Sequence, residues 1–377
     1  MKIAFFTDTF LPNVDGVVTS ILNYRRELQK RHNDVFVFSS GDSLAKKINK
    51  DPSVFFYRSV KFPPYPQYKI ALFPYSSARK VKQLDVEVVH CHAMASMGLA
   101  SIAAAKYCKT PLVGTFHTML PMATAYFTKE GFTRRFATKA AWRAVKAFYS
   151  PFDLVTSPSK AVQGLLSENN VESVVLSNAV DTLRFRPIAN YADFKQALCG
   201  DKKLVLVAGR LGLEKNVDVV LKAFSKIDSD AMLVVTGEGP AKKKCQKLAF
   251  ELGIADRVKF VGFVDSSMLP LYYNSADCFV TASTFETQGL ALLEAMGCGA
   301  ITIGANALAI PECLKDNKNG FLFTPGDVFE CKEKIEKALS LPENSRKKIS
   351  LAARKEAEKH SVEKTTDELF GLYKKLL

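Results

Sequence analysis

The sequence predicts an α/β protein built from two doubly wound, Rossmann-like domains. Three observations carry that expectation. The 377 residues are long for one hydrophobic core and comfortable for two. Short apolar, β-leaning runs alternate with helix-forming stretches along the chain. The stretch 277–304, DCFVTASTFETQGLALLEAMGCGAITIG, shows the alternation most plainly. There 278–282 reads as a buried strand and 283–288 as polar turn chemistry. A helix over 289–296 is closed by Gly297 and Gly299, and 300–303 is the next buried strand. Ligands of open α/β sheets sit at the carboxyl ends of such strands.

Composition narrows the class. Apolar residues at 47% and charged residues at 24% fit a soluble α/β protein. The opening strand meets Asp8 too early for a signal peptide, and no apolar run reaches the ~18 residues of a membrane span. The eight cysteines are scattered without a C-x-x-C pair, which reads as reduced, mostly buried thiols in a cytoplasmic protein. The net charge of +14 is uneven, since residues 1–190 carry 25 Lys+Arg against 13 Asp+Glu. An anionic partner is therefore expected for the first half: a membrane surface, nucleic acid or an acidic substrate.

Residues 2–6 open the first domain as a strand, and a helix follows over about 18–31. The loop between them holds Asp15-Gly16, where glycine permits close backbone approach of a ligand or simply makes an Asp-Gly turn. Residues 35–39 and 54–57 read as strands, and 61–68, rich in Pro and aromatics, as a loop suited to a cleft wall. Residues 86–92 form a strand ending in His90 and His92. These are taken to point to opposite faces, against a shared metal, and to be structural. The strand 111–115 delivers His117. Over 123–149, Lys129, Arg134, Arg135, Lys139, Arg143 and Lys146 interleave with Phe127, Phe132, Phe136, Trp142 and Phe148. That is an amphipathic basic stretch able to lie on an anionic membrane, or an ordinary helix packing its aromatics inward. At about 1 kcal/mol per basic residue, such a face holds a protein on a leaflet reversibly. Strand-then-loop units at 153–159 and 174–181 complete the domain.

The second domain opens with an apolar strand, 203–208, and the loop GRLGLEKN. Arg210 can bond two oxygens through its fork while Lys215 adds a point charge, a pairing suited to a diphosphate. Further strands are expected over 232–236 and 258–264. Asp228-Ser229-Asp230 spells a metal-binding D-x-D, but between a helix and a strand, on the wrong side of the sheet, so no metal is expected. The helix beginning at Gly289 offers unpaired N–H groups to an anion. A diphosphate there would repel Glu286, so this residue should accept hydrogen bonds from neutral hydroxyls such as those of a sugar. A ribose could serve Glu294 in the same way. The alternative is a helix-start Glu complementing the dipole and a solvated surface Glu.

Ser283, Glu286, Gly289-Leu290 and Leu293-Glu294-Ala295-Met296, followed by Gly299, resemble the E-x7-E signature of retaining glycosyltransferases of family 4. These are GT-B enzymes that transfer a sugar from a nucleotide-sugar. Gly209-Arg210 with Glu214-Lys215 resembles the family's G-R-x-x-x-E-K, and Gly237-Glu238-Gly239-Pro240 its G-D-G-P turn. Asn178-Ala179-Val180-Asp181, with Phe185 and Pro187, is similar to its N-G-V-D…F…P segment. Residues 309–312 and 319–327 resemble its closing segments. Two departures stand out: Asp15 where a second glycine is common, leaving its role open, and Ala179 after Asn178.

The resemblance implies a GT-B fold with two domains facing a cleft. The expected divisions are 1–187 on the acceptor side, 188–358 for the nucleotide-sugar, and a last helix within 359–377 crossing back to the first domain. It implies donor contacts from Gly16, Arg210, Lys215, Val264, Glu286, Thr287, Gln288, Gly289 and Glu294, with His117 bonding the transferred sugar. The nucleotide-sugar is a co-substrate, and neither cofactor nor metal is required. Preorganised cations and amides would stabilise the charge developing on the diphosphate. With no convincing nucleophile in view, same-face attack by the acceptor hydroxyl is expected, with retention. The basic half and an opening loop resembling that of diacylglycerol glucosyltransferases favour a lipid acceptor at the inner face of the cell membrane. A soluble sugar, polyol or polysaccharide is the alternative. A GT-B sugar-nucleotide epimerase or a nucleic-acid-binding protein are rivals from other classes. The last has no recognised motif here and leaves the second half unexplained.

Overall fold

The computed structural model describes the backbone of residues 1–13, 15–62, 65–72, 74–119, 121 and 132–377, and the side chains of these except 62, 65–68, 132 and 134. The chain divides into two units, Met1–Ala179 with Val362–Leu377, and Val180–Ser361. The division falls ahead of Pro187, and the last helix belongs to the same unit as the first strand.

In the first unit the described strands are β1 (Lys2–Thr7), β2 (Asp34–Gly41), β3 (Val54–Phe62), β4 (Tyr65–Ala71), β5 (Val88–Cys91), β6 (Leu112–Thr115), β7 (Leu154–Ser157) and β8 (Val174–Val175). They form one sheet in the order β4-β3-β2-β1-β5-β6-β7-β8. Neighbours are parallel except the pair β3–β4. The chain order reverses between β1 and β5, which makes their carboxyl ends a switch point. The two-residue period of β1 sorts its side chains onto two cores. Ile3 and Phe5 meet Val18, Ile21 and Leu28 of the helix Gly16–Lys30, while Ala4 and Phe6 meet Met97, Ala100 and Ala104 of the helix Ser96–Cys108.

The segment read as a loop over 61–68 is largely strand. β3 runs on to Phe62, and β4 returns antiparallel to it along the sheet edge. An edge position explains why Pro66 is tolerated, since it need not donate to a ladder. Pro63 and Pro64 lie outside the described residues.

Two aspartates organise the loops beside the switch point. Asp15 caps the helix Gly16–Lys30, its carboxylate accepting from Val18 N at 2.9 Å. The helix Ser96–Cys108 begins after Ala95, which has no side-chain acceptor to offer. Asp8 supplies one instead, accepting from Ala95 N and Met97 N at 2.9 Å and from Ser96 Oγ at 3.1 Å. The helix Val362–Leu376 packs on Gly16–Lys30 through fully buried Leu369 and Tyr373. Arg31 secures it by pairing with Asp367 and donating to Glu363 O at 3.1 Å.

The second unit is a sheet of β9 (Lys203–Ala208), β10 (Ala231–Thr236), β11 (Val258–Gly262), β12 (Cys278–Thr281), β13 (Thr302–Ala305) and β14 (Phe321–Phe323). Every neighbouring pair is parallel, in the order β11-β10-β9-β12-β13-β14. Its switch point lies between β9 and β12. Val205 and Val207 pack under the helix Val217–Phe224, and Leu204 and Leu206 under the helix Leu290–Gly297. The D-x-D lies at the amino edge of this sheet, where Lys203 N donates to Asp230 O at 3.1 Å. All eight cysteines are free thiols, buried apart from half-buried Cys108.

Candidate active site

Four loops of the second unit leave the carboxyl ends of β9, β10, β11 and β12. The loop after β9 carries the cations. Gly209 has a positive φ, and Leu211 is tied at both its N and O to the Gly237–Pro240 turn after β10, through Glu238 O and Ala241 N, each at 2.9 Å. A Cβ on Gly237 would stand 2.0 Å from Gly209 O, so glycine there lets the two loops meet backbone to backbone. Gly237 N also donates to Gly262 O at 2.6 Å, which draws the end of β11 and half-buried Val264 to the same edge of the sheet.

Arg210 pairs with Glu214 one turn on, and Lys215 Nζ lies 2.5 Å from Glu286 Oε1 in the loop after β12. The sequence leads one to expect both cations turned to a diphosphate with Glu286 left to neutral hydroxyls; here each cation holds a carboxylate. The two loops are fastened further by Asn216, whose Nδ2 donates to Ala282 O at 3.2 Å and Thr284 Oγ1 at 3.3 Å. Ser283 is fully buried, and its hydroxyl reaches Glu214 O at 3.4 Å. Burial alone would raise the Glu286 carboxyl, but the Lys215 ammonium and the Ser283 hydroxyl more than offset it and hold it below the ordinary range.

Thr287 and buried Gln288 lead to Gly289, which caps the helix Leu290–Gly297 at φ 90° and ψ 57°, a left-handed conformation that glycine adopts freely. Glu294 lies further along that helix and accepts from Tyr273 Oη at 3.0 Å. Burial pushes its carboxyl up to about 7, against the lowering effect of that hydroxyl. Glu286 and Glu294, both candidates from sequence, thus sit in opposite electrostatic environments.

His117, just beyond β6 in the first unit, belongs to a cluster. His92 Nδ1 lies 2.9 Å from His117 Nε2, and the His90 and His92 ring centroids are 4.1 Å apart. The opposite-face expectation for His90 and His92 is therefore wrong: residues two apart on a pleated strand share a face. His90 Nδ1 meets Tyr373 Oη at 2.5 Å and its Nε2 meets Thr115 Oγ1 at 2.7 Å, so it braces the final helix. Burial lowers His90 to about 3, His117 to about 4, and His92 well below the ordinary value.

The family described as Glycosyl transferases group 1 matches residues 191–356, and that described as Glycosyltransferase Family 4 matches residues 14–184. The alpha-monoglucosyldiacylglycerol synthase of Streptococcus pneumoniae is 32% identical over 86% of this chain and 75% of its own length. The chain belongs to glycosyltransferase family 4. A GDP-mannose-dependent alpha-mannosyltransferase of Mycolicibacterium smegmatis is 26% identical to this family 4 glycosyltransferase over 100% of this chain and 98% of that one. Among solved structures, Anabaena HepE in complex with UDP and glucose superposes with a TM-score of 0.82 over the whole of both chains. At 18% identity that likeness speaks to the GT-B fold alone.

In this glycosyltransferase the structure brings Arg210, Lys215, Glu286, Thr287, Gln288 and Gly289 to one edge of the second sheet, with Val264 at the end of β11. Gly16 and His117 follow β1 and β6 of the other unit. Sequence reasoning took His92 as structural only, gave Glu214 and Asn216 no contact of their own, and did not single out Tyr273. A signal existed for Glu214, four residues after Arg210, and for Asp15, an N-cap type directly before a helix. Tyr273 offered none, because its contact with Glu294 is made by folding.

The basic stretch is a helix over Phe132–Tyr149 with Arg135, Lys139, Arg143 and Lys146 exposed, together with Phe136 at 64%. Val145 and Tyr149 are buried, and half-buried Trp142 stacks on Phe116 at 6.4 Å. One face is thus core and the other cationic. Lys129, Phe127 and the side chains of Arg134 and Phe132 lie outside the described residues. Among the described residues no helix is long and apolar enough to cross a membrane.

Proposed function

We propose that this glycosyltransferase moves a hexose from a nucleotide-sugar of the UDP-glucose or GDP-mannose type to a hydroxyl of a membrane glycerolipid, with retention at the anomeric carbon. The observation that carries the donor half is the meeting of the Arg210–Lys215 loop with Glu286 beside the start of the helix Leu290–Gly297. An ammonium has three donors and a guanidinium five, so each cation can keep its carboxylate and still bond a phosphate oxygen. Arg210, Lys215 and the amides of Thr287, Gln288 and Gly289 then stabilise the leaving diphosphate without a metal. Glu286 accepts hexose hydroxyls, Glu294 the ribose hydroxyls, the backbone at Val264 meets the base, Gly16 gives the diphosphate room, and His117 bonds the transferred sugar.

In the chemical step the bond from the anomeric carbon to phosphate oxygen breaks with its electron pair going to the diphosphate. The acceptor oxygen bonds the same face of that carbon, and its proton passes to the departing phosphate oxygen. The lipid half of the reading draws on the 32% identity to a synthase of alpha-monoglucosyldiacylglycerol and on the exposed row Arg135, Lys139, Arg143 and Lys146. That row would seat the enzyme peripherally on the anionic inner face of the cell membrane.

A thermal-shift series with UDP-glucose, UDP-galactose and GDP-mannose identifies the donor. Incubation of that donor with diacylglycerol vesicles, and separately with soluble sugars and polyols, identifies the acceptor. A glycolipid with the donor's anomeric configuration by NMR is expected. An inverted product overturns retention, and transfer to soluble acceptors only overturns the lipid reading.

A further inference from the structure

One atom in the histidine cluster is unaccounted for: His92 Nε2 is buried with no hydrogen-bond partner among the described residues. Its other nitrogen lies 2.9 Å from His117 Nε2, with the two rings stacked at 5.2 Å and 27°. We propose that His92 is a positioning residue that holds His117 in the tautomer protonated at Nδ1, and that Tyr373 and His90 brace it from the final helix.

The assignment follows from counting protons. Burial keeps both rings neutral, so each carries a single N–H, and the contact between them needs one donor and one acceptor. Were the proton of His92 on Nε2, a buried N–H would be left with no acceptor among the described residues, one of the rarest and costliest arrangements in a folded protein. An unbonded lone pair at that place costs less. His92 therefore carries its proton on Nδ1 and donates to His117 Nε2, which leaves the proton of His117 on Nδ1.

The ring of His92 is held against rotation by its neighbours. His90 packs on it at 4.1 Å, and Phe5 stands edge-on to both rings at 5.6 and 4.9 Å. His90 is itself pinned at both nitrogens, by Tyr373 Oη at 2.5 Å and by Thr115 Oγ1 at 2.7 Å, the latter bonded to Thr156 Oγ1 at 2.7 Å. The last helix of the chain thereby reaches His117 through two stacked rings. On the reading that His117 bonds the transferred sugar, on which the catalytic part of this inference rests, His117 acts there as a neutral Nδ1–H donor. A fixed tautomer matters because a ring presenting a lone pair where a donor is needed loses the bond altogether.

Nitrogen-15 NMR of the intact protein labelled at its five histidines tests the assignment. The His117 signals are identified by their loss in His117→Gln. In the unaltered protein His117 is expected as the Nδ1–H form. His92→Phe keeps a ring of similar size but removes the donor, and should shift His117 to the Nε2–H form. With the identified donor and diacylglycerol vesicles, kcat should fall roughly fivefold to a hundredfold, the cost of leaving one buried hydrogen-bonding group without its partner. KM for the donor should stay within about twofold, because the lost bond acts on the transferred sugar rather than on overall binding. His92→Asn places an amide N–H where Nδ1 stood and should recover most of the loss.

Finding His117 as Nε2–H in the unaltered protein, or unchanged in tautomer in His92→Phe, overturns the proposal. If His92→Phe does not fold, the spectrum of the unaltered protein decides alone. A tautomer shift with unaltered kcat overturns the positioning role and removes His117 from the sugar contact. The spectrum needs no substrate, so the tautomer of His117 is decided even if the acceptor proves not to be a lipid.

Discussion

On the proposed contact of Glu294 with the donor's ribose, the environment of this carboxyl makes donor binding pH-dependent in a direction that can be worked out. Burial raises this carboxyl from 4.5 to about 7, so between those values the folded protein holds a proton that the unfolded chain has released. For folding, this group is therefore neutral in effect below pH 4.5 and increasingly costly as pH rises to 7, by about 3 kcal/mol in full. On the proposed ribose contact of Glu294 the sign reverses for binding, because ribose hydroxyls donate far more strongly to a carboxylate than to the acid, whose O–H takes up one of its oxygens. At pH 6 about one folded molecule in ten carries the carboxylate, and at pH 8 about nine in ten. The Kd for UDP-glucose, or for whichever donor stabilises the protein, should thus fall about tenfold from pH 6 to pH 8. Neither His117, at about 4, nor Glu286, held below the ordinary carboxyl range, titrates in that window, and a nucleotide-sugar diphosphate keeps its charge. Isothermal titration calorimetry in buffers of different ionisation enthalpy reads both consequences. Close to one proton should leave per donor bound at pH 6, and almost none at pH 8. Glu294→Gln should flatten the profile. A flat profile in the unaltered protein, tighter binding at pH 6, or a slope that survives in Glu294→Gln would refute the reasoning.

Lys215→Ala removes the cation 2.5 Å from Glu286 and leaves a largely buried carboxylate uncompensated; kcat/KM should fall about 10²–10³-fold, with Lys215→Arg retaining more than Ala. Steady-state kinetics with the identified donor check this, and a loss under about threefold would contradict it. Gly289→Ala finds room, since its Cβ would come no closer than 3.6 Å to Leu292 Cβ, but it must hold φ 90°. The cost should be about 1–2 kcal/mol in urea unfolding, and an unchanged midpoint would show that the loop relaxes instead. Changing Arg135, Lys139, Arg143 and Lys146 together to Gln should weaken binding to anionic vesicles at least about tenfold at low salt. Neutral vesicles should show no difference, and undiminished flotation of the variant would remove this face from the membrane.

Local patterns made much of the fold legible. β1 alternates across two cores as its two-residue period demands, and the unit from β12 to β13 was readable to within two residues, because Gly289 and Gly299 punctuate it. β4 was not legible, since prolines and aromatics serve an edge strand and a loop equally well. The helix Ser96–Cys108 takes its cap from Asp8, far away in sequence, so no local capping rule could find it.

At the site, residue type and order together with the family resemblance nominated Arg210, Lys215, Glu286 and Glu294, because phosphate and sugar recognition calls for such groups beside a glycine-opened helix. Their electrostatic state came only with tertiary structure. Glu286 stays ionised because Lys215, brought from the next strand, is at its side; Glu294 is pushed up because the core encloses it, by more than the Tyr273 hydroxyl offsets. The joining of His92 to His117, and of the last helix to both, was likewise decided by packing. The chain's chemistry was written in the kinds of side chain it carries, whereas protonation and partnership depend on burial and on neighbours that only a folded backbone assembles.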